Sequence, residues 1–305
     1  MFTRRTFLGS LMASLIPPGG KAGFQIGVSD AALMGQMKPK ETEPSSLAMQ
    51  GVFEIPGMPQ AQFQTGTASQ LAKRLQHQEI HLAIMTGIEF GWNRTEYPEL
   101  LPLVIAYVTD IRVKACLLAP ADSKAKDIID LKGQSCIFPQ RLQHHPFVYL
   151  HQEIVEAGGV PKGFFDRTPG ASDTDDGIEK VLAKEAPAIL VDADSWNVFQ
   201  ERKPGRARKI KVLDQSNAFP TTAILYHPAK WKEKDIAVHK RALCTAHERP
   251  FSRQILNFCG IKEFVPYTTD YQNVVNTIVR EIPQPVTIAP VDYEKRVPGQ
   301  ERKKT

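Results

Sequence analysis

Two adjacent histidines stand before a proline and an apolar-periodic run in the stretch "FPQRLQHHPFVYLHQEIVEAGG", residues 138–159. Pro146 suits the first position of a helix because it has no N–H to lose and its φ is already helical. The pattern therefore predicts a helix with His145 as its N-cap. The glycine pair at the end of the stretch should end this helix. Free N–H groups and the helix dipole attract anions at a helix N-terminus, so we expect His144 and His145 to lie at an anion site.

The histidine pair is open to three interpretations. Imidazoles can replace hydroxyl donors, and protonated rings would add charge and make the affinity for an oxyanion depend on pH. Alternatively, His145 only caps the helix and His144 is a solvated turn residue. Metal binding is disfavoured, because adjacent side chains rarely direct both rings to one ion and the sequence offers no third ligand nearby.

Further polar residues follow two predicted strands. Asp192 and Asp194 come directly after the apolar run "PAILV", at the carboxyl end of a strand, where open α/β sheets bind ligands. Asp194 is open to a second interpretation, as a helix cap in Asp-Ser-Trp. Thr86, Gly87 and Glu89 follow the strand "HLAIM" in the same way, and we expect them to line the opposite wall of a ligand site.

The sequence shows none of the patterns that would indicate catalysis. We find no nucleophile elbow, P-loop, GxGxxG or metal-ligand cluster, and the four cysteines form no CxxC pair. We therefore predict a protein that is not an enzyme, with no catalytic residues, no metal and no cofactor. Cys116 and Cys136 lie in apolar runs and are expected to be buried, while a disulfide between Cys244 and Cys259 is allowed but not indicated.

Composition and charge point to an ordinary globular protein. The 305 residues are long enough for two domains, and 42% hydrophobic with 23% charged residues argues against disorder. The net charge of +5 is mild, and the basic runs at residues 202–211 and 302–304 are short. We interpret both runs as solvated surface, so nucleic acid is not an expected partner.

The N-terminus resembles an export signal of the twin-arginine type. "TRRTFLGSLMASLIPP" places Arg4 and Arg5 before a short apolar stretch, which is too short to span a bilayer. We predict a signal peptide over residues 1–22. The alternative is the basic first turn of a buried helix.

Predicted strands and helices alternate along most of the chain. Examples are the strands "FQIGVSD" and "GVFEI" before a helix at residues 68–78, and the strands "LPLVIAYV", "QSCIF" and "TTAILYHP" farther on. A short strand is also predicted at residues 164–167. Near-continuous apolar strands that alternate with helices predict the α/β class, with mostly parallel sheets covered by helices on both faces. The tail at residues 282–305 is charged and contains prolines, and we expect little order there.

Four segments together resemble the periplasmic substrate-binding proteins of phosphate, phosphite and phosphonate ABC transporters. The segments are "LAIMTGIEFGW", "DIIDLKGQSCIF", "DTDDGIEKVLAKEAPAILVDADSW" and "SNAFPTTAILYHP". The resemblance implies a two-lobed type II periplasmic-binding-protein fold with two crossover hinge strands. It places lobe 1 at residues 24–108 plus 220–281 and lobe 2 at residues 109–219.

The ligand site departs from that family in one place. The relatives have Asp-Pro and then a Ser-Thr-Ser-Gly run whose hydroxyl and backbone N–H groups hold the phosphonate oxygens. Gln143, His144, His145 and Pro146 stand at the matching positions here, so the backbone donors remain but the hydroxyl donors are absent. By the same resemblance Asp192 faces the ligand, where a carboxylate would meet the amine of an aminophosphonate and repel a bare anion.

The resemblance also implies a function. We expect a periplasmic protein that captures a small phosphonate- or phosphate-like anion between its lobes for an ABC importer. Its partners would be that anion and a membrane permease, and the protein would be a monomer. A ligand sensor for a signalling partner, and an enzyme on the same fold, are the alternatives.

The export signal can be tested directly. We expect the segment with Arg4 and Arg5 to be absent from protein recovered outside the cytoplasm. Replacing both arginines with lysine should trap the precursor inside the cell, because the twin-arginine pathway requires the arginine pair. Immunoblots of cell fractions measure this, and normal export of the double variant would contradict a twin-arginine signal.

Overall fold

The computed structural model describes residues 23–33, 52–53, 60–140 and 142–282. The predicted signal peptide and nearly all of the predicted tail lie outside these residues. The described chain divides into two compact units. Unit 1 takes the residues up to Ile111 together with Thr221–Val275, and unit 2 takes Arg112–Pro220 together with the residues from Asn276 on. The lobe limits given above stay a prediction.

The described residues form thirteen strands. They are β1 (Phe24–Ser29), β2 (Ala61–Gly66), β3 (Leu82–Met85), β4 (Leu101–Tyr107), β5 (Arg112–Val113), β6 (Ala115–Pro120), β7 (Cys136–Pro139), β8 (Gly170–Ala171), β9 (Ala188–Asp192), β10 (Ile210–Gln215), β11 (Phe219–Pro220), β12 (Ala223–Tyr226) and β13 (Glu263–Pro266).

Ten α-helices are described. They are α1 (Asp30–Leu33), α2 (Ala68–Gln76), α3 (Gly87–Arg94), α4 (His144–Glu156), α5 (Thr174–Leu182), α6 (Ala193–Arg202), α7 (Pro204–Ala207), α8 (Glu233–Cys244), α9 (Pro250–Phe258) and α10 (Thr269–Glu281). Three short 3₁₀ turns lie at Ile129–Leu131, Pro228–Lys230 and Ala246–Glu248.

Each unit is built on one mixed sheet. Unit 1 has six strands in the order β13-β4-β12-β3-β1-β2, and unit 2 has five in the order β10-β6-β9-β7-β8. In unit 1 the neighbouring pairs β3-β1 and β1-β2 are parallel, and the other three pairs are antiparallel. In unit 2 the pairs β9-β7 and β7-β8 are parallel, and the pairs β10-β6 and β6-β9 are antiparallel. The α/β class is therefore confirmed, and both sheets are mixed, because an apolar run reports burial on both faces and not the direction of the neighbouring strand.

The parallel strands fix where the helices begin. β1, β2 and β3 end at the same edge of the unit 1 sheet, and α1, α2 and α3 follow them directly. β7 and β9 end at one edge of the unit 2 sheet, where α4 and α6 follow. Polar groups at these helix starts are therefore gathered at the carboxyl edge of each sheet, which is where open α/β sheets bind ligands.

Close packing of α5 holds this part of unit 2 together. α5 covers β7 and β9 with Ile178 and Val181, which have no exposed surface, and Gly177 lies on the same buried face. A Cβ at Gly177 would run into the Cδ1 of Ile189 on β9 and would come within 3.2 Å of Ile137 on β7. Glycine is therefore required at this position so that the helix can approach the sheet.

Several elements differ from the sequence predictions. The predicted strand at residues 164–167 is reduced to one bridge between Ser135 and Arg167, and the strand forms instead at Gly170–Ala171. The predicted strand "GVFEI" lies mostly outside the described residues. The helices α3 and α6 and the strand β13 were not predicted, because each is short or follows a strand without a Gly or Pro signal between them.

None of the four cysteines forms a disulfide. Cys116 and Cys136 are buried as expected, and burial raises the pKa of the Cys116 thiol to about 11. Cys244 and Cys259 form no disulfide in this structure.

None of the helices in the described part of the chain has the length and apolar character needed to cross a membrane.

Replacing Gly177 with alanine should destabilise unit 2. The added methyl group overpacks the contact between α5 and the sheet, and overpacking costs about 1–3 kcal/mol. Gly205 in α7 is a matched control, since a Cβ there meets nothing within 4 Å and both variants gain similar helix propensity. Urea unfolding should therefore show G177A to be less stable than G205A by about 1–3 kcal/mol. Equal stability would mean that the packing at Gly177 is loose.

Candidate functional site

Thr86 and Glu89 close the N-terminus of α3 at the carboxyl edge of unit 1. The Thr86 side chain accepts a hydrogen bond from the Glu89 N–H, and Glu89 Oε2 accepts one from the Thr86 N–H at 3.0 Å. This reciprocal capping box satisfies donors that the first turn leaves without an intrahelical partner. Gly87, the third predicted residue here, is the first residue of α3 and is buried.

Ser29 joins this group from the end of β1, and the sequence analysis missed it. Its hydroxyl donates to Glu89 Oε2 at 2.6 Å and accepts from the Ala32 N–H at 3.1 Å. One carboxylate oxygen thus receives hydrogen bonds from both β1 and the cap of α3, which ties two parallel strand ends together. The signal that would have found Ser29 is a small polar residue at the end of an apolar strand.

Burial dominates the electrostatics of Glu89, whose side chain is only 7% exposed. Desolvation raises its pKa above the ordinary value of 4.5, the hydrogen bonds from Ser29 and Thr86 oppose that rise, and the nearby Asp30 carboxylate adds to it. Glu89 is therefore a carboxyl group that the fold makes harder to ionise.

Gln143, and not His145, is the N-cap of α4. The helix begins at His144, so His145 is its second residue and Pro146 its third, and the prediction that His145 caps the helix is wrong. Pro146 still fits, because none of the first helical N–H groups has an intrahelical acceptor. The helix ends at Glu156, and Gly158 has the positive φ of 73° that was expected of the glycine stop.

Both histidines are buried, His144 at 6% and His145 at 4% exposure. Burial lowers the pKa of each ring to about 4, and in His144 the neighbouring His145 contributes to this shift. Both rings are therefore neutral at neutral pH. Burial therefore opposes the interpretation in which protonated imidazoles attract the anion. The alternative in which His144 is a solvated turn residue is wrong, because His144 is buried in the first turn of α4.

The Lys114 carbonyl oxygen joins the starts of α4 and α6. His145 Nε2 lies 3.1 Å from it, and the Ala193 N–H donates to it at 2.8 Å. Because a carbonyl oxygen only accepts, the contact requires the proton of His145 on Nε2. The ring also packs against Phe219, with its centroid 5.9 Å away. His145 thus locks the first turn of α4 to the edge of the sheet.

Asp192 is the N-cap of α6. Its Oδ1 accepts from the Ser195 N–H and its Oδ2 from the Ser195 hydroxyl, both at 2.8 Å. The interpretation of Asp194 as the cap is therefore wrong, since Asp194 lies inside the helix. Both oxygens of Asp192 already accept hydrogen bonds. A contact between Asp192 and a ligand stays a prediction.

The structure gathers the predicted residues into two groups. Thr86, Gly87 and Glu89 lie together in unit 1, and Gln143, His144, His145 and Asp192 belong to helix starts at one edge of unit 2.

The sequence analysis missed three unit 2 residues beside His145. Lys114 acts through its carbonyl, and Phe219 packs on the ring. Ser216 exchanges hydrogen bonds with Ala115, which follows Lys114. Backbone acceptors leave no signature in side-chain identity, so the sequence held no signal for Lys114.

Solved structures of known proteins share this fold. The Xanthomonas citri protein XAC2383 bound to ATP matches with a TM-score of 0.57 and 10% identity, over 86% of this chain and 98% of that one. A binding protein component of an ABC phosphonate transporter from Pseudomonas aeruginosa matches with a TM-score of 0.53 and 10% identity, over 85% of this chain and 86% of that one. PhnD1 from Prochlorococcus marinus in complex with methylphosphonate matches with a TM-score of 0.51 and 13% identity, over 85% of this chain and 98% of that one.

The fold is therefore that of the type II periplasmic binding proteins, as the sequence predicted. No curated protein matches the sequence. The family described as "ABC transporter, phosphonate, periplasmic substrate-binding protein" matches residues 53–272, which is more than half of the chain. The chain belongs to this family, and it is a periplasmic substrate-binding protein of the ABC transporter type.

Replacing Glu89 with glutamine should remove a pH-dependent loss of stability. A carboxyl group whose pKa is raised by folding stabilises the fold fully below its ordinary pKa, and this contribution is lost as pH rises through the folded pKa. The parent should therefore lose stability relative to E89Q as pH rises above the ordinary glutamate pKa of 4.5. Urea unfolding at several pH values measures the difference.

The exposed capping box of α2 provides a matched control for E89Q. It has the same geometry, with Thr67 and a glutamine at Gln70. Q70E should gain about 0.3–1 kcal/mol as pH rises, because an ionised carboxylate is favourable at an exposed helix N-terminus. A difference between the parent and E89Q that does not vary with pH would contradict the effect of burial on Glu89.

Proposed function

We propose that the protein binds a small oxyanion of the phosphonate or phosphate class at the N-terminus of α4 and delivers it to the permease of an ABC importer. The protein acts by binding alone and catalyses no reaction. It works as a monomer in the periplasm, which it reaches through a twin-arginine signal at residues 1–22. That signal lies outside the described residues and rests on the sequence.

The observation that carries this proposal is the lack of a side-chain cap on α4. The other helices that start at the carboxyl edges of the sheets each have a side chain that accepts from their first turn: Ser29, Thr67, Thr86, Asp173 and Asp192. The N-cap of α4, Gln143, makes no such hydrogen bond. A 13-residue helix at a ligand-binding edge whose cap side chain accepts no hydrogen bond is suited to receive oxygen atoms from a ligand.

The neutral histidines are compatible with this site. An oxyanion can be held by backbone N–H groups and the partial positive charge of the helix end, without a cationic side chain. Burial also favours recognition, because hydrogen bonds are stronger where water is excluded. The fold shared with a protein that binds methylphosphonate supports the choice of ligand class.

An aspartate at the cap of α4 should compete with the ligand. In Q143D the new carboxylate would accept from the first-turn N–H groups, stabilise the helix by about 0.5–2 kcal/mol and repel an anion. Losing charge-assisted hydrogen bonds to the ligand should weaken binding roughly ten- to hundredfold. Titration calorimetry with methylphosphonate and with inorganic phosphate measures the affinity.

Lys232 provides the control for Q143D, because it is the N-cap of α8 and also makes no side-chain cap bond. K232D should stabilise its helix in the same way and leave the affinity unchanged. The proposal is overturned if neither methylphosphonate nor phosphate binds the parent, or if Q143D binds them as tightly as K232D does.

A further inference from the structure

The buried side of α4 carries a phenol without a hydrogen-bond partner. Tyr149 is only 2% exposed, and its hydroxyl oxygen is buried and forms no hydrogen bond with any described residue. Glu153 follows one turn later, so the two side chains are neighbours on the same side of the helix. A buried hydroxyl without a partner costs free energy, which directs attention to the groups around it.

A β-bulge places Asp214 on the side of the unit 2 sheet that faces α4. The register of β10 against β6 shifts just before Asp214, which therefore lies opposite Leu117. Cys116 and Leu118 pack with residues of α5 and α6 on one face of the sheet, so Leu117 belongs to the other face, where α4 packs against β6. Cross-strand partners share a face, and the bulge thus turns Asp214 toward α4.

The electrostatics agree that these three side chains are neighbours. Desolvation raises the pKa of the Tyr149 phenol, and the Asp214 carboxylate adds to this rise although its oxygens make no hydrogen bond with the phenol. Desolvation also raises the pKa of Glu153, and the charges of Asp214 and then of Glu156 add to it. The phenol oxygen therefore lies beside two half-buried carboxylates.

No positive side chain balances these two carboxylates in the described part of the chain. None of its ion pairs involves Glu153 or Asp214. Asp214 Oδ1 accepts a hydrogen bond from the Gln215 N–H at 2.8 Å, which supplies only a partial charge. Neighbouring carboxylates that are partly removed from water repel each other unless a cation or a proton lies between them.

We propose that Tyr149, Glu153 and Asp214 bind a Ca²⁺ ion, with water molecules completing its coordination. This inference does not depend on the proposed function. All three side chains offer oxygen atoms, which are the ligands that Ca²⁺ prefers, and Ca²⁺ tolerates the irregular geometry of a site that is open to water. The cation would neutralise both carboxylates and give the phenol oxygen a partner, and it would join α4 to the edge strand β10.

The number of protein ligands makes this a weak site. Within the described residues no group of three or more His, Cys, Asp and Glu side chains is placed to hold a metal. Two carboxylates and a neutral phenol should therefore give a Kd of about 10⁻⁴–10⁻³ M, the range of extracellular calcium modules. The sequence analysis expected no metal because the three residues come from two distant elements and form no motif.

Titration of the purified protein with CaCl₂, in phosphate-free buffer at about pH 7 after removal of metal by EDTA, measures the affinity. E153Q and D214N each remove one charge with little change of shape and should weaken binding at least about tenfold. Y149F removes only the phenol oxygen and should weaken binding less, because that oxygen is neutral. E156Q is the matched control, since it removes an exposed charge from the same helix and should change the affinity least.

Thermal unfolding provides a second measurement that a purely structural role would not affect. In EDTA, E153Q and D214N should be at least as stable as the parent, because each removes a repulsion between carboxylates. In about 10 mM CaCl₂ the order should reverse, because the ion stabilises the folded parent that binds it. A proton shared by the two carboxylates would give no such reversal.

The calcium site is overturned if CaCl₂ at about 10 mM neither binds the parent nor raises its melting temperature. It is also overturned if Y149F, E153Q or D214N binds Ca²⁺ as tightly as E156Q does. Both results would leave the proposed oxyanion site untouched, because neither titration contains an oxyanion ligand.

Discussion

The Lys114 carbonyl oxygen determines the structure of the unit 2 site. It receives the N–H that opens α6 and the Nε2–H of His145 near the start of α4, so one acceptor sets the position of two helix ends. The same contact also fixes the tautomer of the ring, with the proton on Nε2. A buried imidazole in this role needs no charge, and the low pKa of His145 follows from that burial.

The two units use buried ionisable groups in the same way at comparable places. In unit 1, Glu89 joins the ends of β1 and β3 through Ser29 and Thr86, and burial raises its pKa. In unit 2, His145 joins α4 to β6, and burial lowers its pKa. Both shifts favour the neutral form. The starts of α3 and α4 are thus held by hydrogen bonds of groups that resist ionisation, whereas aspartates cap α5 and α6.

Much of the fold was predictable, because long apolar strands and periodic helices report burial directly. β1, β4 and α2 were found within two residues of their observed ends. Strand direction was not predictable, since an apolar run such as β12 looks the same in a parallel and an antiparallel sheet. The residue types of the site and their places in the chain were predicted, but their protonation states and hydrogen-bonding roles were not. Neutral histidines and the role of Asp192 as a cap depend on burial and on backbone acceptors, which a sequence does not display.

Nitrogen-15 NMR of the histidine rings tests this account most directly, because it reports protonation and tautomer for each nitrogen. The account predicts that His145 is neutral with its proton on Nε2 from about pH 5.5 to about pH 8. The assignment can be made by comparison with H145Q. A ring that titrates near its ordinary pKa of about 6.5, or that carries its proton on Nδ1, would contradict the account.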